Sequence, residues 1–247
     1  MRNLKLEIEY DGSNYCGWQL QRRNKKKRSI QGVLEKTLRK VLREEIKLVG
    51  SGRTDAGVHA QAQAANFKTR SDITLVRLQR ALNGLLPDDI KVSGIKEASS
   101  GFHSRFDAKS KVYRYTILNR PHSSVFLRNR VYFYPLPLKV KIMQEEAKGL
   151  KGRHNFKSFQ ASTKEEKDPV RVIKRIGVTR DKDLIYIDIE ADGFLYNMVR
   201  NISGTLIEIG RGRFPRGSLK KILAGRNRRL AGPTLPAEGL CLVKVKY

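Results

Sequence analysis

The stretch Val49-Gly50-Ser51-Gly52-Arg53-Thr54-Asp55-Ala56-Gly57-Val58-His59-Ala60 holds the residue types from which chemistry is most readily built. Three glycines within eight residues let the backbone take positive φ angles and approach another surface closely. An arginine and a carboxylate two positions apart, Arg53 and Asp55, project from this loop. A carboxylate beside a guanidinium stays ionised, and in a dry pocket it can serve as nucleophile or base. The same spacing also suits an Asx-turn with a surface ion pair, which would do no chemistry. Other catalytic devices are missing from the sequence: there is no H-E-x-x-H, no Walker loop and no G-x-S-x-G. The four histidines, His59, His103, His122 and His154, are not at metal-ligand spacing. Cys16 and Cys241 form no C-x-x-C pair and no disulfide framework.

The charge balance narrows the partner. The chain has 247 residues with 51 Lys and Arg against 24 Asp and Glu, a formal charge of +27. Residues 1–120 carry 25 basic and 12 acidic side chains, and residues 121–247 carry 26 and 12. The excess is therefore no detachable tail, and both halves are expected to face one polyanion. Nucleic acid is favoured over a merely solvated basic surface, and over a membrane, because the basic residues are not gathered on one amphipathic helix. No apolar run approaches the ~20 residues of a membrane span. The opening MRNLKLEIEY lacks the apolar core of a signal peptide, so a soluble cytosolic (cytoplasmic) protein is expected.

The elements that must position the Arg53–Asp55 loop follow from periodicity. Leu4, Leu6, Ile8 and Tyr10 alternate with Lys5, Glu7 and Glu9, which predicts a half-buried strand closed by an Asp11-Gly12 turn. After a basic loop, Arg22 to Arg28, Ser29 is a helix N-cap, and Ile30, Val33, Leu34, Leu38, Val41 and Leu42 form an apolar face. A second helix is expected from Asp72 with Leu75, Leu78, Leu82 and Leu85 inward, stopping before Pro87. Val58 to Phe67 alternates Ala60, Ala62 and Ala64 with His59, Gln61 and Gln63, a strand with one small-residue face. Residues 111–118, 184–190 and 240–247 read as strands, and Met198, Ile202, Leu206 and Ile209 as a helix ending at Gly210. Residues 151–170 read as a long surface loop. The mixture predicts an α+β fold with helices on one face of a largely antiparallel sheet. Its boundary falls near Ser99–Phe106, giving domains 1–104 and 105–247. Ile8 to Tyr15 and Ile189 to Tyr196 share Ile, Glu, Asp, Gly and Tyr at matching places, a faint internal echo.

Gly52 to Ala60 resembles the signature of the tRNA pseudouridine synthase A family, and it is not alone. Tyr10-Asp11-Gly12-Ser13-Asn14-Tyr15-Cys16-Gly17-Trp18-Gln19 resembles the family's opening segment, and Ser29-Ile30-Gln31-Gly32 its first helix start. Phe102-His103-Ser104-Arg105-Phe106 with Lys111-Val112-Tyr113-Arg114-Tyr115 resembles its central segment. Met198-Val199-Arg200-Asn201-Ile202 and Glu238-Gly239-Leu240 resemble its C-terminal motifs. The landmarks run in the family's order along the chain. Asn155 departs from the pattern, in a place where Asp is more usual, and the Lys25-Lys26-Lys27 loop is more basic than typical.

The resemblance implies two similar, ferredoxin-like α/β domains sharing an extended, mostly antiparallel sheet, with the active cleft between them. It implies isomerisation of uridine to pseudouridine at positions 38, 39 and 40 of the tRNA anticodon stem-loop, without cofactor or metal. By the same resemblance Asp55 is the catalytic carboxylate, Arg53 supports flipping of the target base, Tyr113 stacks on it, and Arg200 pairs with the carboxylate. A flipped base is needed because uridine in a duplex is out of reach. The remaining tRNA contacts are expected at His103, Arg105, Lys109, Lys164, Lys167 and Arg171, through phosphates. Family members act as homodimers, so a homodimer is expected. The competing expectation is a non-catalytic tRNA-binding protein, which would have no need of Asp55.

Overall fold

The computed structural model describes residues 1–20, 28–163 and 168–247. The basic run Lys25–Lys27, with Lys164 and Lys167, lies outside the described residues. Contacts divide the chain into two units, residues 1–109 with 241–247, and residues 110–240. The sequence division at 104 and 105 kept the last strand with the second half, whereas by contacts that strand joins the first unit.

In the first unit, β1 (Arg2–Tyr10) lies between β3 (His59–Thr69) and β4 (Ile90–Ala98), antiparallel to both. Leu4, Leu6 and Ile8, the apolar set of the alternation, are fully buried. β2 (Val49–Gly50) pairs antiparallel with the far half of β3, and β10 (Leu240–Lys246) pairs parallel with its near half. With neighbours on both edges, β3 is buried almost throughout, Gln63 included. Its strict small-residue alternation fails for a local reason: Ile8 faces Gln63 but Tyr10 faces Ala60, so β3 carries one extra residue there, a bulge.

α1 (Ile30–Leu42) begins where Ser29 Oγ accepts the Gly32 N–H at 3.2 Å. Its buried stripe is Ile30, Leu34, Leu38 and Leu42, four-residue spacing that puts them on one face. α2 (Leu75–Leu85) starts later than expected, because Thr74 and not Asp72 caps it, Oγ1 accepting the Arg77 N–H. Leu78 and Leu82 are buried but Leu85 is 47% exposed. Leu86 is buried instead: preceding Pro87, it takes an extended backbone, which turns its side chain inward.

The second unit is built from β5 (Ser110–Leu118), β6 (Tyr132–Phe133), α3 (Val140–Ala147), β7 (Gly152–Asn155), β8 (Val170–Asp181), β9 (Leu184–Ala191), α4 (Met198–Gly210) and α5 (Ser218–Gly225). The antiparallel order is β5-β9-β8-β7, with β6 parallel to the end of β5. Ile185, Ile187 and Ile189 of β9 are fully buried. α4 is buried on nearly every side, so its polar residues need internal partners: the Asn201 amide donates to Phe159 O at 2.8 Å, and Thr205 Oγ1 accepts the Gly232 N–H at 2.9 Å.

The described part of the region expected to be a long surface loop is more ordered than that. β7 pairs with β8, and Phe156 and Phe159, three residues apart, are fully buried around a short 3-10 turn. Two large apolar anchors in a charged stretch outweigh its average polarity. Asn155 Oδ1 accepts the Lys157 N–H at 3.0 Å, an Asx-turn that an Asp would make equally well.

The fold is α+β, with mostly antiparallel strands in each unit. The two echoed segments occupy like places: each runs off the end of a strand flanked by two antiparallel neighbours, β1 in the first unit and β9 in the second. Among the described residues no helix is long and apolar enough to cross a membrane.

Burial raises the phenol pKa of Tyr10, Tyr15 and Tyr115, and pushes Tyr247 up to about 12. Unfolded tyrosine ionises near pH 10, so above that pH the unfolded chain holds fewer protons than the folded one. Stability is therefore complete below about pH 10 and falls as pH rises further; urea midpoints followed by circular dichroism from pH 8 to 11 should be flat and then decline.

Candidate functional site

Asp55 lies in the loop that joins β2 to β3. Arg53 and Ala56 are exposed, Thr54 is buried, and Asp55 is half-buried between them. The loop is fixed at its base by Gln63, whose Oε1 accepts Ser51 Oγ at 2.6 Å and whose Nε2 donates to Gly52 O at 3.1 Å. At its middle, the Trp18 N–H donates to Thr54 O at 3.0 Å, and Thr54 Oγ1 lies 2.8 Å from the Tyr10 hydroxyl in a buried hydrogen bond. At its far end, the Val58 N–H donates to Asp55 O at 3.2 Å. The side chain of Asp55 therefore extends from a backbone that is bonded on both sides of it, the condition for holding a reacting group in one geometry.

The wall behind the loop is the segment Tyr10 to Trp18. Gly17 has φ +100°, and a Cβ there would stand 2.5 Å from Thr54 O and 3.0 Å from the Asp55 carbonyl carbon. Gly12 packs as closely, since its Cβ would meet Val58 O. Of the three glycines in the loop itself only Gly57 has a positive φ; the close approach comes chiefly from glycines of the facing segment. The wall is tied in turn to α1, because Ile30 and Gln31 donate their N–H groups to Gly17 O and Trp18 O. His59 Nδ1 accepts the Gly12 N–H at 3.1 Å and lies 3.1 Å from Asp11 Oδ1, closing the wall's other end.

In the second unit, Tyr113 is buried on β5 opposite Ile189, its ring edge-on to Phe194 at 5.0 Å. Arg200 lies in the first turn of α4, with Nε donating to Leu235 O at 2.6 Å and Nη1 to Asn197 Oδ1 at 2.9 Å. Its guanidinium is thus oriented by a backbone carbonyl and by the left-handed Asn197 that precedes the helix.

The residues expected to contact RNA fall into different settings. Arg105 and Lys109 are exposed. His103 is half-buried, with Nδ1 accepting the N–H groups of Arg105 and Phe106. Arg171 is half-buried, and its Nη1 donates to Asp168 O and Val170 O, so it braces the entry to β8. Lys164 and Lys167 lie outside the described residues. Sequence reasoning passed over Tyr10 and Gln63, the polar side chains that hold the loop. Gln63 left no distinguishing signal, since Gln61, two residues earlier, has the same chemistry and is exposed.

A family model described as tRNA pseudouridine synthase matches residues 7–107 and residues 147–247. Each matched stretch contains one copy of the echoed segment. The chain is similar to tRNA pseudouridine synthase A of Thermoanaerobacter sp. (strain X514), 43% identical over 247 residues covering both chains completely. It is similar to the proteins of the same name from Ruminiclostridium cellulolyticum, 44% identical over 248 residues, and Acetivibrio thermocellus, 44% identical over 247, again over the full length of each.

The Tyr10–Thr54 bond generates a stability prediction. Tyr10→Phe leaves a buried threonine hydroxyl without its partner and should cost about 1–2 kcal/mol. Adding Thr54→Val should cost clearly less than the sum of the two single changes, measured by urea unfolding as a double-mutant cycle.

Proposed function

The chain belongs to the tRNA pseudouridine synthase family, isomerases acting on tRNA, and from that premise we propose that Asp55 is its catalytic carboxylate and that the target uridines are at positions 38, 39 and 40 of the anticodon stem-loop. The observation that carries the assignment of Asp55 is its place: a half-buried carboxylate on a loop bonded at Gly52, Thr54 and Asp55 itself, within a matched family stretch. In the reaction the N1–C1′ bond breaks, the base turns, C5 bonds to C1′, the C5 hydrogen leaves as a proton to water, and N1 takes up a proton in its place. Atoms balance without any cofactor.

The roles proposed for the other residues follow their chemistry. Arg53 is exposed on the same loop, where a planar guanidinium can fill the gap left by a flipped base and bond phosphate. Tyr113 and Arg200 are proposed as substrate-binding residues, the one through its aromatic ring and the other through its positive charge. The even spread of the +27 charge supports a polyanionic partner that engages the whole chain. Arg105, Lys109 and, outside the described residues, Lys164 and Lys167 supply phosphate contacts. His103 and Arg171 are proposed as contacts of the same path. We further propose a homodimer in the cytoplasm.

Two measurements test this reading. With tRNA tritiated at uridine C5, the wild type should release tritium to water, and Asp55→Ala and Asp55→Asn should lower the rate at least about a thousandfold, on the scale seen when a catalytic carboxylate is removed, while still binding tRNA. Binding without release by the wild type, on several tRNAs bearing uridines 38–40, would leave a non-catalytic tRNA-binding protein. Sedimentation at micromolar concentration should give twice the chain mass, and a monomer there would overturn the dimer.

A further inference from the structure

Phe106 is 74% exposed on the loop that precedes β5, and it is not loose. Its ring lies nearly parallel to that of His103, with centroids 4.2 Å apart and planes at 24°. The Arg105 guanidinium carbon stands 5.7 Å from the same ring centre. The loop is closed on itself: the His103 N–H donates to Asp107 Oδ2, the Asp107 N–H to His103 O, and His103 Nδ1 accepts from Arg105 and Phe106.

Beneath, buried amides of the first unit grip the loop. Asn66 Oδ1 accepts the Ser104 N–H at 2.9 Å, and its Nδ2 donates to Phe102 O. Asn3 Nδ2 donates to Phe102 O as well, and the Tyr247 hydroxyl donates to Ser104 O at 2.9 Å. An aromatic ring kept in water, backed by a second ring and fixed from below, is a preformed surface for another flat group. Its sequence neighbours Arg105, Asp107 and Lys109 are exposed and mostly basic, unlike the apolar surround of a protein-docking aromatic. A π face with adjacent cations is the combination that stacks an unpaired base while bonding its phosphate.

We propose that Phe106, backed by the ring of His103 and flanked by Arg105, is a stacking platform for an unpaired nucleotide of the RNA substrate. The proposal rests on the tRNA reading above and deepens it, since it gives His103 a role through its ring. In that role Phe106 binds substrate and takes no part in the chemistry.

The test compares the wild type with Phe106→Ala, Phe106→Tyr and Phe106→Trp. Phe106→Ala should weaken tRNA binding and raise KM roughly tenfold to a hundredfold, the range for losing one base–aromatic stack. Its kcat at saturating tRNA and its urea midpoint should stay near wild type, and Phe106→Tyr should restore binding. The sequence has one tryptophan, Trp18, which is buried, so Phe106→Trp adds an exposed reporter. Its added fluorescence should be quenched by tRNA and not by a plain RNA duplex. Wild-type affinity in Phe106→Ala, or equal quenching by duplex, overturns the platform; loss of the dimer mass in Phe106→Ala would assign the ring to a contact between chains and overturn it too. The quenching reads binding alone, so a wild type that bound tRNA without releasing tritium would sink the enzymatic reading and leave the platform standing.

Discussion

Two glycines set how near one backbone can come to another, and the candidate site is arranged around that approach. Gly17 and Gly12 lie against the carbonyls of Thr54 and Val58, at distances where any Cβ would collide. That nearness lets Trp18 donate its N–H to Thr54 O, and it puts the Tyr10 hydroxyl within reach of Thr54 Oγ1. The backbone that carries Asp55 is fixed on both sides of it. The wall also receives the first N–H groups of α1, so helix, wall and loop form one hydrogen-bonded series. A side chain at either glycine would force the series apart.

Buried amides play a comparable part elsewhere. A buried amide is costly unless its donors and acceptor are matched, so where one occurs it ties together segments distant in sequence. Gln63 joins β3 to the base of the Asp55 loop, Asn66 and Asn3 join β3 and β1 to the loop of Phe106, and Asn201 joins α4 to Phe159. In the first unit these amides lie on or beside the very strands that flank the candidate functional loops. The sheet there carries the position of the loops through polar side chains, with Leu4, Leu6 and Ile8 supplying the apolar core beneath.

The double match of the family model gives physical content to the echo between Ile8–Tyr15 and Ile189–Tyr196. Both segments leave a strand that has antiparallel partners on its two sides, and the next helices along the chain are α1 and α4. The first copy became the wall behind a carboxylate. The second leads through Asn197 into α4, whose first turn orients Arg200. The end of a strand with two antiparallel neighbours thus presents different side chains in each unit.

The sequence by itself determined the main elements, the α+β class and the family, because each rests on local pattern. Period-two alternation marks β1, four-residue spacing with Ser29 marks α1, and Gly52 to Ala60 marks the loop of Asp55. It also determined the charge, which is a property of composition. Tertiary structure decided what depends on neighbours across the sheet. Gln63 is buried because β3 has strands on both edges, and Leu85 is exposed because Pro87 turns Leu86 inward. Phe156 and Phe159 are core residues because a partner strand, β8, draws their charged stretch onto the sheet. Arg171 braces a strand because two carbonyls face it. Periodicity records which side of an element is apolar; which polar side chain is enclosed, and by what, is set by contacts between residues far apart along the chain.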